Sequence, residues 1–355
     1  MEYRLANENE ILSPALIYYA DAILENTKRA IDIAGSAERL WPHVKSHKIR
    51  EMVEMQRALG ISRFKCATVV EADMVASCGA NHVLLAYPMI GPVIGRFLSL
   101  AEKYPDVHFS AIVDSEKGLF ALSEEAGRRN RTVDILIDVN LGMDRTGISP
   151  ESVGAFLETV KKAKNVRYKG LHCYDGHVHD TDPAKRQEAV DKGLSRIRGI
   201  EAEIVIAGGS KTFPCYAKHE GLFLSPGTVF VWDYGYKLQL PDLHFVPAGA
   251  VLGRVVSHPA AGLFTIDVGS KAISADTAGQ RGWIVGMEDK ALPVSQSEEH
   301  WVWRIADGAE VPDIGEVVYV LPNHICPTTA LYDRVYAARG GNASETWRVA
   351  ARDRA

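Results

Sequence analysis

Apolar positions along this chain alternate between short continuous runs and longer stretches with a period near 3.6 residues, the signature of strands and helices taking turns. The continuous runs predict strands at 40–45, 64–69, 83–87, 108–113, 134–139, 168–174, 203–207 and 222–226. Helical stretches fall between them at 49–59, 71–78, 93–103, 115–128, 150–162 and 183–200. Two starts carry clear caps: Asp114-Ser115, and Ser149-Pro150-Glu151, which places proline in the first helical turn with an acid behind it. Ile135-Leu136-Ile137 and Ile204-Val205-Ile206 are apolar without interruption, as strands covered on both faces are. Strands and helices in this rhythm predict an α/β fold of the (β/α)8 TIM-barrel type. A doubly wound open sheet shares the alternation.

After residue 236 the texture changes. Short β-rich runs at 253–258, 263–268, 301–304 and 317–321 are separated by His258-Pro259, Asp307-Gly308 and Pro312-Asp313. Helical period returns only at the very end. The pattern predicts a barrel over 12–235 and a C-terminal all-β domain over 236–355, with residues 1–11 packing on the latter. In the 355 residues, 40 Lys and Arg face 45 Asp and Glu, a net charge of −5. That balance, with no basic stripe, argues against a nucleic-acid partner. The longest apolar runs, 83–87 and 119–122, fall far short of the roughly 20 residues a bilayer requires. Met1–Glu10 is polar and acidic rather than a signal peptide. A cytoplasmic protein without a membrane partner is expected. Five cysteines, an odd number with no C-x-x-C, argue against a disulfide framework or a four-cysteine zinc site.

In a parallel barrel the reactive groups sit where strands end and loops begin. The first strand ends in Pro42-His43-Val44-Lys45-Ser46-His47-Lys48, and in extended conformation His43, Lys45 and His47 share one face. A lysine partly desolvated there can act as an amine nucleophile. The fifth strand runs into Gly142-Met143-Asp144-Arg145-Thr146-Gly147, a tight loop that fixes a permanent cation, Arg145. The sixth ends in His172-Cys173-Tyr174-Asp175-Gly176-His177-Val178-His179. These residues read either as a metal site built on His177 and His179 or as a stacking tyrosine with acid–base histidines. The seventh and eighth strands end in Gly208-Gly209-Ser210 and Pro226-Gly227-Thr228, whose amides suit a phosphate. Late in the chain, His324 and Cys326 stand two apart in Pro322-Asn323-His324-Ile325-Cys326-Pro327. Imidazole and thiolate together favour zinc, with manganese or magnesium as alternatives, and two ligands leave positions open for substrate.

Taken in order, these segments resemble the D-threonine aldolase and D-serine dehydratase family, within the alanine-racemase-like, fold-type III pyridoxal-phosphate enzymes. The resemblance covers nearly the whole chain, and the P-H-x-K-x-H-K segment with the late H-x-C pair is its most specific part. It implies a pyridoxal 5′-phosphate enzyme that is a homodimer and acts on a small amino acid. Lys45 would carry the Schiff base, Tyr174 would stack on the cofactor ring, and Arg145 would lie near its phenolic oxygen. Gly209, Ser210, Gly227 and Thr228 would bind phosphate, and His324 and Cys326 would hold a divalent metal. The expected reaction is retro-aldol cleavage of a D-threonine-like substrate to glycine and an aldehyde, with His177 or His179 taking the hydroxyl proton. The alternative is dehydration to a keto acid and ammonia, since cysteine in the H-x-C pair resembles dehydratase members. An amino acid racemase, a non-catalytic cofactor-binding protein and a decarboxylase are the more distant alternatives.

Overall fold

The computed structural model describes residues Met1–Arg354. The chain opens with strand β1 (Ala15–Tyr19) and helix α1 (Ala20–Ala34). It then alternates through α2 (Arg50–Ala58), β2 (Arg63–Cys66), α3 (Val69–Ser77), β3 (His82–Leu85), α4 (Pro92–Lys103), β4 (His108–Val113) and α5 (Glu116–Arg128). The alternation continues with β5 (Val133–Asn140), α6 (Val153–Val160), β6 (Val166–Tyr174), α7 (Pro183–Ile197), β7 (Ile204–Ala207), α8 (Phe213–Ala217) and β8 (Phe223–Leu224). Strands β2 to β8 form one parallel sheet in sequential order. Residues 40–43 close the ring: Leu40 bridges Leu224 of β8 and His43 bridges Lys65 of β2, both in parallel. The backbone confirms the closure, since Trp41 N donates to Leu224 O (2.7 Å) and Lys65 N donates to Pro42 O (2.8 Å). The (β/α)8 expectation therefore holds, and Trp41, Leu84, Ile112, Leu136 and Ile206 pack a buried apolar layer.

The expected first strand is cut short. Val44–Ser46 is a single 3-10 turn, entered from His43, whose Nδ1 accepts from Lys45 N. His47 N and Lys48 N both return to Val44 O, so the face-sharing of 43, 45 and 47 expected for a strand does not apply. The second strand likewise ends early, because Thr68 accepts from Glu71 N and caps α3.

The second compact unit joins Met1–Arg29 to Thr228–Arg352, while Ala30–Gly227 and the chain end from Asp353 form the barrel unit. This moves the expected boundary at residue 12. Ala15–Tyr19 is buried along its whole length and pairs antiparallel with β9 (Gly249–Ser257) and parallel with β15 (Arg334–Arg339). Also in this unit are α9 (Tyr234–Gln239), β10 (Leu263–Ile266), β11 (Gly282–Ile284), β12 (Ala291–Gln296), β13 (Trp301–Ile305), β14 (Val317–Pro322), α10 (Ile325–Ala330) and β16 (Asn342–Arg348). The sheet runs β12-β13-β10-β9-β1-β15-β16, with β14 joining β9 to β11. The chain end, expected to regain helical period, is instead the β15–β16 hairpin, turned by Gly340 and Gly341 at positive φ. Among the described residues no helix is long and apolar enough to cross a membrane.

Candidate active site

The barrel mouth is organised around one ring. Tyr174, the last residue of β6, has Lys45 Nζ 5.8 Å, Lys65 Nζ 5.6 Å and the Arg145 guanidinium 4.9 Å from its centroid. Gly176 and Gly209 make room for it. A Cβ on Gly176 would stand 2.6 Å from Tyr174 Cε1, and one on Gly209 would stand 2.9 Å from Cε2. Arg145 is carried by a loop folded over Asn140, whose Oδ1 accepts from Gly142 N (2.9 Å) and Asp144 N (3.1 Å). Gly147 N anchors the other end on Asp114 Oδ2 (3.1 Å). The tight loop expected from the flanking glycines is present.

Behind the ring lies a buried polar chain that the sequence reading did not single out. Lys65, only 2% exposed, donates to Ser225 Oγ (2.6 Å) and meets His172 Nε2 at 3.3 Å. His172 Nδ1 in turn bonds Asp138 Oδ1 at 2.7 Å. Strands β2 and β6 are not neighbours in the sheet, so Lys65 reaches His172 through the barrel interior. Burial, assisted by Lys45, lowers the Lys65 pKa to about 7. Burial, with Lys65 nearby, also holds His172 below its ordinary value. Burial opposes ionisation of Asp138, but the hydrogen bond and charge of His172, with Thr146 and Lys65, together outweigh it and keep the carboxyl below its usual range. His43 is driven well down by burial and then by Lys45, so it is a neutral imidazole. One signal could have found Lys65: a lysine between Phe64 and Cys66, inside a predicted strand with apolar neighbours, is a charge heading for the interior.

The two glycine loops lie at the ends of β7 and β8 as expected. Ser210 is buried and its Oγ accepts from Gly227 N (3.1 Å), while Gly209 N donates to Thr212 Oγ1 (3.1 Å). Beside Gly227, Ser46 Oγ is buried with no hydrogen-bond partner, 2.9 Å from where a Cβ on Gly227 would be. Pyridoxal phosphate fits this half. A flat ring has Tyr174 to lie against, an anionic oxygen has Arg145, an aldehyde has the Lys45 amine, and a phosphate has the orphaned buried Ser46 hydroxyl beside Gly227. His177 and His179 are both exposed on the loop that leaves β6. His177 packs against Gly142 and lines a cavity of about 320 Å³ with Asp175, Lys192, Arg196 and Tyr216. His179 Nδ1 shares a hydrogen bond with Lys211 Nζ (2.6 Å), and that cation, ahead of burial, lowers its pKa.

In the second unit, His324 and Cys326 flank the start of α10 and are half-buried. Thr228 belongs here: its Oγ1 lies 3.3 Å from Cys326 Sγ. His324 Nδ1 is held by Asp276 Oδ2 at 2.7 Å, which leaves Nε2 as the other ring donor. Burial disfavours charge on both partners, yet their mutual hydrogen bond and opposite charges, with Asp276 beside His324 and Thr228 beside Cys326, together prevail: His324 is raised to about 9 and Cys326 is lowered. Buried Asp233, raised to about 6 by burial, accepts from Tyr236 N and Ile325 N and so fixes the start of α10. Among the described residues no three His, Cys, Asp or Glu side chains converge as an ion cage. A metal here would have two side-chain ligands, a thiolate and an imidazole, and open positions. That donor set suits a catalytic rather than a structural ion.

Residues 19–234 match the family model described as Alanine racemase, N-terminal domain, and residues 248–338 match the Putative serine dehydratase domain. The chain is 27% identical over 331 residues to the D-threonine aldolase of an Arthrobacter species, covering 88% of this chain and 85% of that protein. It is 24% identical over 372 residues to the D-threo-3-hydroxyaspartate dehydratase of a Delftia species, covering 94% and 96%. The crystal structure of the D-threonine aldolase from Filomicrobium marinum superposes with a TM-score of 0.88 at 27% identity, covering 99% of this chain and 98% of that one.

Proposed function

The chain belongs to the alanine racemase N-terminal domain family, and on that footing we propose that it cleaves D-3-hydroxy amino acids of the D-threonine kind to glycine and an aldehyde. It is a lyase, as the relatives named D-threonine aldolase and D-threo-3-hydroxyaspartate dehydratase are, and it uses pyridoxal phosphate. The observation that carries the reading is the Tyr174 ring with three basic side chains around it and two glycines against its edge.

Bound at this site, pyridoxal 5′-phosphate supplies an electron sink for charge developing at the substrate Cα. Lys45 would hold the cofactor through its amine. Tyr174 supports the ring on one face, and Arg145 offers a fixed donor fork to an anionic oxygen. Gly209, Ser210, Gly227 and Thr228 would hold the phosphate, and the orphaned Ser46 hydroxyl beside Gly227 would join them. His324 and Cys326 would hold a divalent cation, which would supply Lewis acidity to a hydroxyl oxygen. Asp276 keeps the His324 ring oriented through Nδ1. The hydroxyl proton goes to one of the two loop histidines, His177 or His179. Lys211 Nζ donates to His179 Nδ1, so the uncharged ring carries its proton on Nε2. The two 27% identical aldolases favour carbon–carbon cleavage.

One observation favours the dehydratase reading. The ligand beside His324 is a thiolate, which resembles the dehydratase branch, and the reaction then ends in a keto acid and ammonia. Purified protein supplied with cofactor and metal, given D-threonine and D-serine, decides between the two. Glycine plus acetaldehyde from D-threonine supports the aldolase. Keto acid plus ammonia replaces it with the dehydratase, and loss of optical activity without either product replaces both with a racemase. The working assembly we read is a homodimer, and a monomeric mass in analytical ultracentrifugation would remove that part.

A further inference from the structure

Lys45, Lys65 and Arg145 share one ring, but they are built differently. Arg145 is exposed, Lys45 is half-buried, and Lys65 is sealed in the barrel interior. Each hydrogen around Lys65 can be assigned. Ser225 Oγ donates its own proton to Gly208 O (2.9 Å), so it meets Lys65 Nζ as an acceptor. Asp138 is ionised and takes the proton on His172 Nδ1, so the neutral imidazole meets Lys65 with the Nε2 lone pair. Two N–H bonds of Lys65 are thereby committed. In the neutral amine the one remaining tetrahedral position is the nitrogen lone pair.

The surroundings bear on whether that pair is free. Lys45 and His43 face Lys65 from the end of the first strand and its turn. Asp138 and Arg145 come from β5 and its loop, His172 and Asp175 from β6 and its loop, and Ser225 follows β8. Burial, Lys45 and Arg145 disfavour the ammonium form, and Asp138 and Asp175 favour it. The balance falls at about 7. A lysine of ordinary pKa holds almost no free pair near neutral pH, whereas burial and Lys45 bring this one into the range where the free amine forms.

We propose that Lys65 is the proton acceptor for the Lys45 ammonium, a positioning residue that presents Lys45 as a free amine to a carbonyl compound bound against Tyr174. An N–H bond of Lys45 breaks and its electron pair stays on Lys45 Nζ. The proton bonds to the lone pair of Lys65, directly or through one water, and the total charge is unchanged. The inference rests on Lys45 being the anchor of pyridoxal phosphate.

The test is the rate at which apoprotein takes up pyridoxal 5′-phosphate, followed as growth of the yellow absorbance band from mildly acid to mildly alkaline pH. Wild-type uptake accelerates as pH rises through about 7 and then levels. Lys65→Met slows uptake at neutral pH by about 10²-fold, the ordinary scale of a lost general base, and recovers only in alkali. Lys65→Arg keeps the cation and the donors but accepts no proton, so it is expected to be as slow as Lys65→Met. Rescue by arginine, or an unchanged neutral-pH rate in Lys65→Met, overturns the proposal. A wild type that develops no band at all overturns the anchor reading and this inference with it. Should the methionine variant not fold, a lysine 13C NMR titration of the wild-type apoprotein decides: Lys65 titrating near neutrality supports the proposal, and an ordinary alkaline lysine pKa overturns it.

Discussion

The barrel mouth and the His324–Cys326 pair are two clusters of ionisable groups that answer burial in opposite ways. In the barrel, burial removes charge: His43 and His172 are held neutral and Lys65 is poised near 7. In the second unit, burial loses. Imidazole and thiol each stabilise the other's ionised form, raising His324 to about 9 and lowering Cys326. The difference follows from the partners. Around Tyr174 the neighbours are mostly like-charged amines, which discharge one another. Around α10 an acid meets a base, and charge is retained. One cluster is suited to supplying an uncharged nucleophilic amine, and the other to supplying a thiolate for a cation.

The comparison can be broken most severely at Lys45. Lys45→Ala is expected to lose the yellow cofactor band and with it at least ~10³-fold of activity, since the amine that anchors the cofactor is removed. An undiminished band in that variant sinks the assignment. Cys326→Ala strikes the other cluster: the band should remain while metal-dependent activity falls by about 10²-fold, as loss of a ligand with its Lewis acid does. Full activity after chelation would remove the metal role altogether. The pH dependence of metal affinity sharpens the contrast. His324 carries a proton below about 9 and must lose it to ligate, so binding expels that proton. Affinity measured by calorimetry should therefore rise with pH by about tenfold per unit and flatten above about pH 9. A flat profile would mean that His324 is not a ligand. The smaller effects are geometric. Asp276→Asn should weaken metal binding by ~10-fold through a mis-set imidazole, with the cofactor band unchanged. Gly209→Ala places a Cβ 2.9 Å from Tyr174 Cε2, so the ring must shift, and cofactor affinity is expected to fall by a few-fold to ~10-fold.

Much of this architecture was legible along the chain. Uninterrupted apolar strands such as Ile135-Leu136-Ile137 carry their burial in their composition, and the capped helices between them specify a parallel sheet, while the bridges of residues 40–43 to β8 and β2 decide that it closes into a barrel. The strand Ala15–Tyr19 was not found, because its apolar run reads equally well as part of a helix start, and only pairing with β9 and β15 settles it. Lys45 was legible as a residue but not as a conformation. The expected strand gives way to a turn once His43 Nδ1 caps the Lys45 amide.

What the sequence determined by itself is the set of residues whose chemistry is intrinsic. These include an amine in Pro42-His43-Val44-Lys45, a permanent cation at Arg145, glycines at the ends of the seventh and eighth strands, and an imidazole and thiol two residues apart. What the tertiary structure decided is their protonation and company. Lys65 and His172 are 107 residues apart and meet only because β2 and β6 face each other across a closed ring. A pKa depends on desolvation and on charges within a few ångströms, and neither is a property of neighbours along the chain.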